Sequence, residues 1–191
     1  PYLLPAIMGA LGAQHPNLDL HVRETLTPKL LNELSDGKID AAILALPTSE
    51  PSLQETPLFD EDFVLVRPAQ DEGKPVPNGE ALRKMRLLLL EEGHCFRDQA
   101  WAFCNTGASV PRDGLDGSSL TTLVQMVSAG IGVTLIPQMA IAVETPAANV
   151  SVARFAKPRP SRQIGMIWRK RNPLADQLTR VAEVIKSAAI S

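Results

Sequence analysis

Residues 27–46 read TPKLLNELSDGKIDAAILAL and join a helix pattern to a strand pattern. Thr27 and Pro28 predict a helix start, with Thr27 as the N-cap and Pro28 at the first helical position. Leucines form the apolar face of this helix, and Gly37 is suited to end it. The run Ile39–Leu46 is nearly all apolar, as in a strand that is buried on both faces. The stretch therefore predicts a helix and a strand of a parallel α/β sheet.

The same alternation extends in both directions from this stretch. Upstream, Leu18, Leu20 and Val22 alternate with polar residues, which predicts a half-buried strand. Downstream, strand and helix patterns follow one another to the end of the chain, which indicates an α/β protein. Segments near Asp60 and near residues 163–168 are candidate crossings between two lobes. A ligand is then expected in the cleft between the lobes, near the carboxyl ends of the strands.

The composition limits the class of protein. The chain has 191 residues, 45% of them hydrophobic and 21% charged, and its net charge is -2. That charge argues against a chain that grips nucleic acid by neutralising phosphates. No apolar stretch reaches the roughly 20 residues of a membrane span, and no signal peptide is recognisable, so no membrane association is expected. The start at Pro1, inside an amphipathic stretch, suggests a piece of a longer protein.

The chain contains two cysteines, Cys95 and Cys104, in the segment 91–108, EEGHCFRDQAWAFCNTGA. The pair is too small for a disulfide framework or for a zinc site by itself, and we predict neither a metal nor a cofactor. A short helix is predicted to begin at Arg97 or Asp98, which places Cys95 just ahead of a helix N-terminus. Free backbone N–H groups, the helix dipole and the Arg97 cation would each favour the thiolate form of Cys95, the reactive form.

Spacing restricts what this pair of cysteines can do. Nine residues along a helix correspond to a rise of about 13.5 Å, whereas a disulfide needs two Cα atoms within roughly 7 Å. Oxidation would therefore force the helix to unwind and would act as a conformational switch. Two alternatives stay open: two unrelated buried thiols, or a compact loop with a merely structural bridge. Likewise, Thr27 could be only a cap, His94 only a loop hydrogen-bonder, and Arg162 only a surface cation.

The run GHCFRDQAWAFC at residues 93–104 resembles the sensing segment of the OxyR regulators, a peroxide-responsive branch of the LysR-type transcriptional regulators. The resemblance covers the whole chain, through PYLLP at 1–5, LFDE at 58–61, SSLTTL at 118–123, GVTLIP at 132–137 and SRQIGMIWR at 161–169. It implies two Rossmann-like lobes similar to periplasmic binding proteins. Residues 1–59 with 169–191 would form regulatory lobe I, and residues 60–168 would form lobe II with the redox cysteines. A winged helix-turn-helix domain would precede Pro1.

The resemblance also implies roles for individual residues. Cys95 matches the peroxidatic cysteine of the family and Cys104 its resolving cysteine. Three residues align with the peroxide pocket and two support it: Thr27, His94 and Arg162, and then Arg97 and Asp98. A further pocket threonine would precede Pro1, and Ser118 stands where the family often has threonine.

The implied function is that of a sensor and not of an enzyme. Hydrogen peroxide would oxidise Cys95 to a sulfenic acid, and the disulfide with Cys104 would change the conformation and packing of a homodimer or homotetramer that activates antioxidant genes. The implied partners are promoter DNA through the absent domain, RNA polymerase, and the thiol reductants glutaredoxin and glutathione, in the bacterial cytoplasm. Alternatives are an effector domain for a small organic co-inducer, a thiol peroxidase, and a secreted solute-binding protein.

Overall fold

A computed structural model describes residues 2–83, 85–104 and 116–190. The chain divides into two compact units, one formed by Pro1–Asp60 with Arg162–Ser191 and the other by Glu61–Ser161. No helix in the described part of the chain is both long and apolar enough to cross a bilayer.

The helices and strands alternate along the chain. The helices are α1 (Leu4–Gln14), α2 (Thr27–Ser35), α3 (Gly79–Arg83), α4 (Cys95–Cys104), α5 (Leu120–Ser128), α6 (Ile141–Glu144) and α7 (Ala175–Ile190). The strands are β1 (Ala42–Leu46), β2 (Leu53–Pro68), β3 (Leu87–Leu90), β4 (Asp116–Gly117), β5 (Val133–Pro137), β6 (Val150–Arg154) and β7 (Ser161–Arg169). The α/β class predicted from the sequence is confirmed.

The first unit is built around β7, which lies between β1 and β2. Successive side chains of a strand point to opposite faces of the sheet. Met166 and Trp168 accordingly pack with α1 and α7, while Ile167 packs with Leu34 of α2 on the other face. This sheet with helices on both faces holds α2, and therefore Thr27, in place.

Two predictions for this unit are wrong. The strand β1 pairs antiparallel with β7, with Leu44 opposite Gly165, so the expected parallel sheet is absent from the described part of this unit. The first unit includes Arg162–Ser191, whereas the predicted lobe I resumes at residue 169. Helix α2 begins at Thr27 itself, and the N-cap position belongs to Leu26, whose backbone is extended. Gly37 follows the helix with a φ of 75° and does end it.

The predicted strand at residues 18–22 is also wrong. This segment forms no strand with the described part of the chain, and Leu18, Leu20 and Val22 are between 40% and 46% exposed. An alternating pattern yields a strand only where a neighbouring strand satisfies its backbone. The segment is instead tied to α2 by an ion pair of 2.9 Å between Arg23 and the buried carboxylate of Glu33.

The second unit contains the later part of β2, which pairs antiparallel with both β5 and β6, so that Leu65 lies opposite Leu135 and Ala153. The acidic residues 60–62, near the crossing predicted at Asp60, are part of this continuous strand. The strand β3 runs parallel to β5 on one side and to β4 on the other. Helix α5 starts after Ser119, whose side chain accepts a hydrogen bond of 3.2 Å from the Thr122 amide.

Candidate functional site

The strand β3 delivers the chain to the predicted site in the second unit. Leu88 is fully buried, and its carbonyl accepts a hydrogen bond of 2.9 Å from the hydroxyl of Thr134 on β5. After Leu90 the chain turns through Gly93, whose φ of 94° is open to glycine at little cost. Helix α4 starts directly after this turn. The position of Cys95 is thus set by a short connection from a buried central strand.

Cys95 is the first residue of α4, a half-buried free thiol. The helix begins two to three residues earlier than predicted, because the Arg97 amide already donates to the His94 carbonyl at 2.9 Å. The first amides of a helix have no carbonyl partner within that helix, and they carry the positive end of its dipole. Cys95 therefore lies at the positive end of the helix dipole, next to the half-buried His94.

The second and third residues of α4 fix its first turn. The ring of Phe96, itself buried, meets that of Phe63 edge to face with centroids 5.0 Å apart. Arg97 donates to the Leu90 carbonyl and forms an ion pair of 2.9 Å with Asp116 on β4. Asp98 is exposed in the first turn, where a carboxylate is favoured by the helix dipole.

The contacts of Arg97 correct its predicted role. The sequence suggested a cation that acts on the thiol, but the guanidinium is engaged with Leu90 and Asp116. Residues two apart on a helix also point in different directions. Arg97 therefore supports the site by holding the first turn of α4 against β3 and β4.

The backbone of Cys104 is at the other end of α4, as predicted. Its side chain lies outside the described residues, as does Gly107, a residue type suited to ending a helix. The nine-residue separation within one helix corresponds to a rise of about 13.5 Å, which exceeds the reach of a disulfide by roughly a factor of two. Just before Cys104, the ring of Phe103 meets that of Phe155 with centroids 5.1 Å apart.

Gln99 is a candidate that the sequence analysis missed. It follows Cys95 by four residues and so lies on the same face of α4. Its side-chain oxygen is buried and accepts no hydrogen bond within the described part of the chain. Buried amide oxygens are nearly always paired, so an orphan one turn from the thiol marks a place for a polar ligand or water. The helical spacing to Cys95 was the only signal for it in the sequence.

Thr27 and Arg162 belong to the first unit. Thr27 is half-buried as the first residue of α2, and Arg162 is half-buried as the second residue of β7. The structure thus brings together the helix-start residues of the second unit, namely His94, Cys95, Arg97 and Asp98, and places the other two predicted residues at the starts of elements in the first. No group of three or more histidine, cysteine or acidic side chains suited to a metal occurs within the described residues.

Comparison with known proteins assigns the chain to a family. The model of the LysR substrate binding domain matches residues 1–189. A probable hydrogen peroxide-inducible genes activator from Mycobacterium avium is 40% identical over 97% of this chain and 60% of its own length. The DNA-binding transcriptional dual regulator OxyR of Escherichia coli is 38% identical over 98% of this chain and 62% of its own. The chain thus spans about 60% of the length of these relatives.

Solved structures agree with these relatives. An H2O2-bound mutant of Corynebacterium glutamicum OxyR superimposes with a TM-score of 0.92 at 34% identity, covering 99% of this chain and 61% of that one. The reduced OxyR regulatory domain of Pseudomonas aeruginosa gives a TM-score of 0.86 at 34% identity, covering 100% of this chain and 91% of that one. The resemblance found in the cysteine segment is confirmed, and the chain belongs to the LysR substrate-binding domain family, among the regulatory domains of OxyR proteins.

Proposed function

We propose that this chain is the hydrogen peroxide-sensing regulatory part of a LysR-type transcription activator. The observation that carries the proposal is a free, half-buried Cys95 at the N-terminus of a helix whose far end is Cys104. Cys95, at the start of the helix, combines access for a small oxidant with a helix N-terminus, a common setting of reactive thiols. Cys104 provides a second thiol that cannot bond to the first without rearrangement. The names of the relatives support the same function, since one is a probable activator of hydrogen peroxide-inducible genes and another is the transcriptional dual regulator OxyR.

The proposed chemistry has two steps. The Cys95 thiolate attacks one oxygen of the peroxide, an S–O bond forms as the O–O bond breaks, and the other oxygen leaves as water after taking a proton. The Cys104 thiol then displaces the hydroxyl of the sulfenic acid as a second water, and the S–S bond forms. Two thiols lose two electrons in total and one peroxide gains them. Two glutathione molecules, or the dithiol of a glutaredoxin, would reverse the change by thiol–disulfide exchange and would themselves be oxidised to a disulfide.

Three side chains are proposed to bind the peroxide, on the strength of the family resemblance. The Thr27 hydroxyl and the His94 imidazole can donate or accept hydrogen bonds. The Arg162 guanidinium can stabilise the negative charge that develops on the leaving oxygen. Arg97 and Asp98 support the helix that carries Cys95.

The disulfide is the direct test of this function. Trypsin cleaves after Arg86, Arg97 and Arg112, so Cys95 and Cys104 fall in separate peptides, 87–97 and 98–112. After one equivalent of hydrogen peroxide, mass spectrometry under non-reducing conditions is expected to find these two peptides joined, and a reductant should separate them. Recovery of both peptides unjoined, with their thiols intact, would rule out the proposed sensor.

Turnover separates a sensor from a thiol peroxidase. We propose that the chain reacts stoichiometrically, so that peroxide consumption stops after about one equivalent in the absence of an added reductase. With a simple thiol reductant present, consumption that continues as fast as the first equivalent would instead indicate an enzyme, because a sensor would then be limited by the slower reduction of its disulfide. In the longer protein, we propose that the switch changes the packing of a homodimer or homotetramer on promoter DNA, that the assembly engages RNA polymerase, and that it works in the bacterial cytoplasm.

Replacing Gln99 with leucine is expected to separate stability from reactivity. The substitution removes a buried oxygen that lacks a partner, so the free energy of unfolding should rise slightly. If this amide orients peroxide or water beside the thiol, the second-order rate constant with peroxide should fall about a hundredfold, the lower end of the usual effect of a positioned polar group. Urea unfolding and stopped-flow kinetics measure the two effects. The control is Gln125→Leu, because Gln125 is exposed on α5; equal rates for both variants would exclude a role for Gln99.

A further inference from the structure

One ion pair joins the redox helix α4 to the two strands beside its first turn, β3 and β4. Arg97, in the first turn of α4, donates to the carbonyl of Leu90 at the end of β3 and contacts Asp116 on β4 at 2.9 Å. The same two strands are joined by a backbone hydrogen bond of 3.1 Å from the Glu91 amide to the Gly117 carbonyl. The guanidinium therefore connects the start of α4 to the strand ends on either side of it.

The buried charge of Arg97 is compensated by Asp116. The Arg97 side chain is only 9% exposed, and the Asp116 side chain is 36% exposed. A buried guanidinium is tolerated when a carboxylate compensates for its lost hydration. Asp116 is the acidic partner that the described residues give to this cation, and the Leu90 carbonyl supplies the remaining contact. Whether the Arg97 guanidinium reaches Asp116 depends on where the third residue of α4 lies. The ion pair therefore favours the helical form of the first turn of α4.

A disulfide within α4 is incompatible with this arrangement of the backbone. Cys95 and Cys104 are separated by a helical rise of about 13.5 Å, and a bridge needs their Cα atoms within roughly 7 Å. Arg97 lies inside the ring that the bridge would close. When that ring forms, part of α4 must unwind, and unwinding at the start of the helix would take the backbone at residue 97 away from the position from which its side chain reaches both Leu90 and Asp116.

We propose that Asp116 is a positioning residue of the redox switch: acting through Arg97, it holds α4 in the dithiol fold and opposes formation of the Cys95–Cys104 disulfide. This inference rests on the proposed function. A contact that is made in only one of two states shifts their equilibrium toward that state by its own free energy. Asp116 therefore sets how oxidising the surroundings must be before the switch closes, without touching peroxide or either sulfur.

Asp116→Asn is the variant that tests this role, because asparagine keeps the size of the side chain and removes its charge. The equilibrium constant for disulfide formation, measured in dithiothreitol redox buffers by alkylation and peptide mapping, is expected to rise about tenfold. That change equals a midpoint potential about 30 mV more negative. The closing of the disulfide after sulfenic acid formation should accelerate, whereas the rate of the first reaction with peroxide should stay within about threefold.

Two further variants control for charge and for general damage. Asp116→Glu keeps the carboxylate and should restore the equilibrium constant to within about threefold of the original value. Asp62→Asn breaks another arginine pair of the second unit, the one with Arg159 at 2.9 Å, which touches neither end of α4. It should leave the equilibrium constant unchanged.

The outcomes separate this inference from the proposed function. If the unaltered chain forms no Cys95–Cys104 disulfide, both fail. If it forms one and Asp116→Asn leaves the equilibrium constant unchanged or lowers it, only the role of Asp116 fails, and α4 unwinds from its Cys104 end with the ion pair intact. Should Asp116→Asn not fold, nuclear magnetic resonance of the unaltered chain decides: the guanidinium protons of Arg97 should exchange slowly in the dithiol form and fast in the disulfide form, and equal exchange in both forms overturns the proposal.

Discussion

Replacing Cys95 with serine is expected to lower the rate constant for reaction with hydrogen peroxide by roughly three orders of magnitude or more, because an alcohol does not supply the thiolate nucleophile. Cys95 is the first residue of α4 and a half-buried free thiol. Serine keeps the size of the side chain and needs no repacking. Stopped-flow measurement of peroxide loss, together with trapping of sulfenic acid, measures the effect.

The matched control for this variant is Cys104→Ser. It should react with peroxide at nearly the original rate and then stop at the sulfenic acid, since no second thiol is available to displace the hydroxyl. The two serine variants thus separate the oxidation step from the resolution step. If Cys95→Ser still consumed peroxide at the original rate, or if Cys104→Ser were the slower of the two, the assignment of roles would be reversed.

Gly132→Ala is expected to destabilise the protein by about 3 kcal/mol, at the upper end of the usual cost of overpacking. A Cβ at residue 132 would overlap the backbone carbonyl oxygen of Arg86 and would come within 3.3 Å of the Leu88 side chain. The same carbonyl accepts a hydrogen bond of 3.0 Å from the Val133 amide, so the substitution disrupts the start of the parallel pairing between β5 and β3. Because β3 leads directly into α4, reactivity with peroxide should fall as well.

Gly9→Ala is the control for this second prediction. Gly9 is within α1, and a Cβ added there would meet no atom within 4 Å. Alanine in the interior of a helix is favoured over glycine by about 0.5–1 kcal/mol. Urea unfolding should therefore move the midpoint upward for Gly9→Ala and well downward for Gly132→Ala. Equal midpoints would show that the backbone near Arg86 moves aside at no cost.

Local patterns in the sequence predicted most helices and strands, because hydrophobic periodicity and helix-ending glycines act over a few residues. Gly37 ends α2 as its position suggested. The direction of β1 was predicted wrongly, since it depends on pairing with β7, which lies more than a hundred residues away in the chain. The segment at Leu18 shows the same limit, because alternation describes a strand but does not provide its neighbour.

The sequence predicted the candidate site about as well as it predicted the fold. The position of Cys95 at a helix start followed from local sequence, and the error in the first helical residue was two to three positions. The engagement of Arg97 was not predictable, because its carboxylate partner Asp116 follows an intervening segment and belongs to another strand. Gln99 was missed for a different reason: the sequence cannot tell a buried amide from an exposed one.

The segment at residues 18–23, which forms no strand with the described part of the chain, bears on the solubility of the concentrated protein. Leu18, Leu20 and Val22 present an apolar row beside backbone groups that pair with no strand of the described chain, and such ribbons adhere to one another. Charged residues usually prevent this by repulsion. Here Asp19 and Arg23 carry opposite charges, and Arg23 is already paired with Glu33. The segment therefore has little net charge with which to oppose contact between copies, and a lysine at position 20 would both interrupt the apolar row and add repulsion.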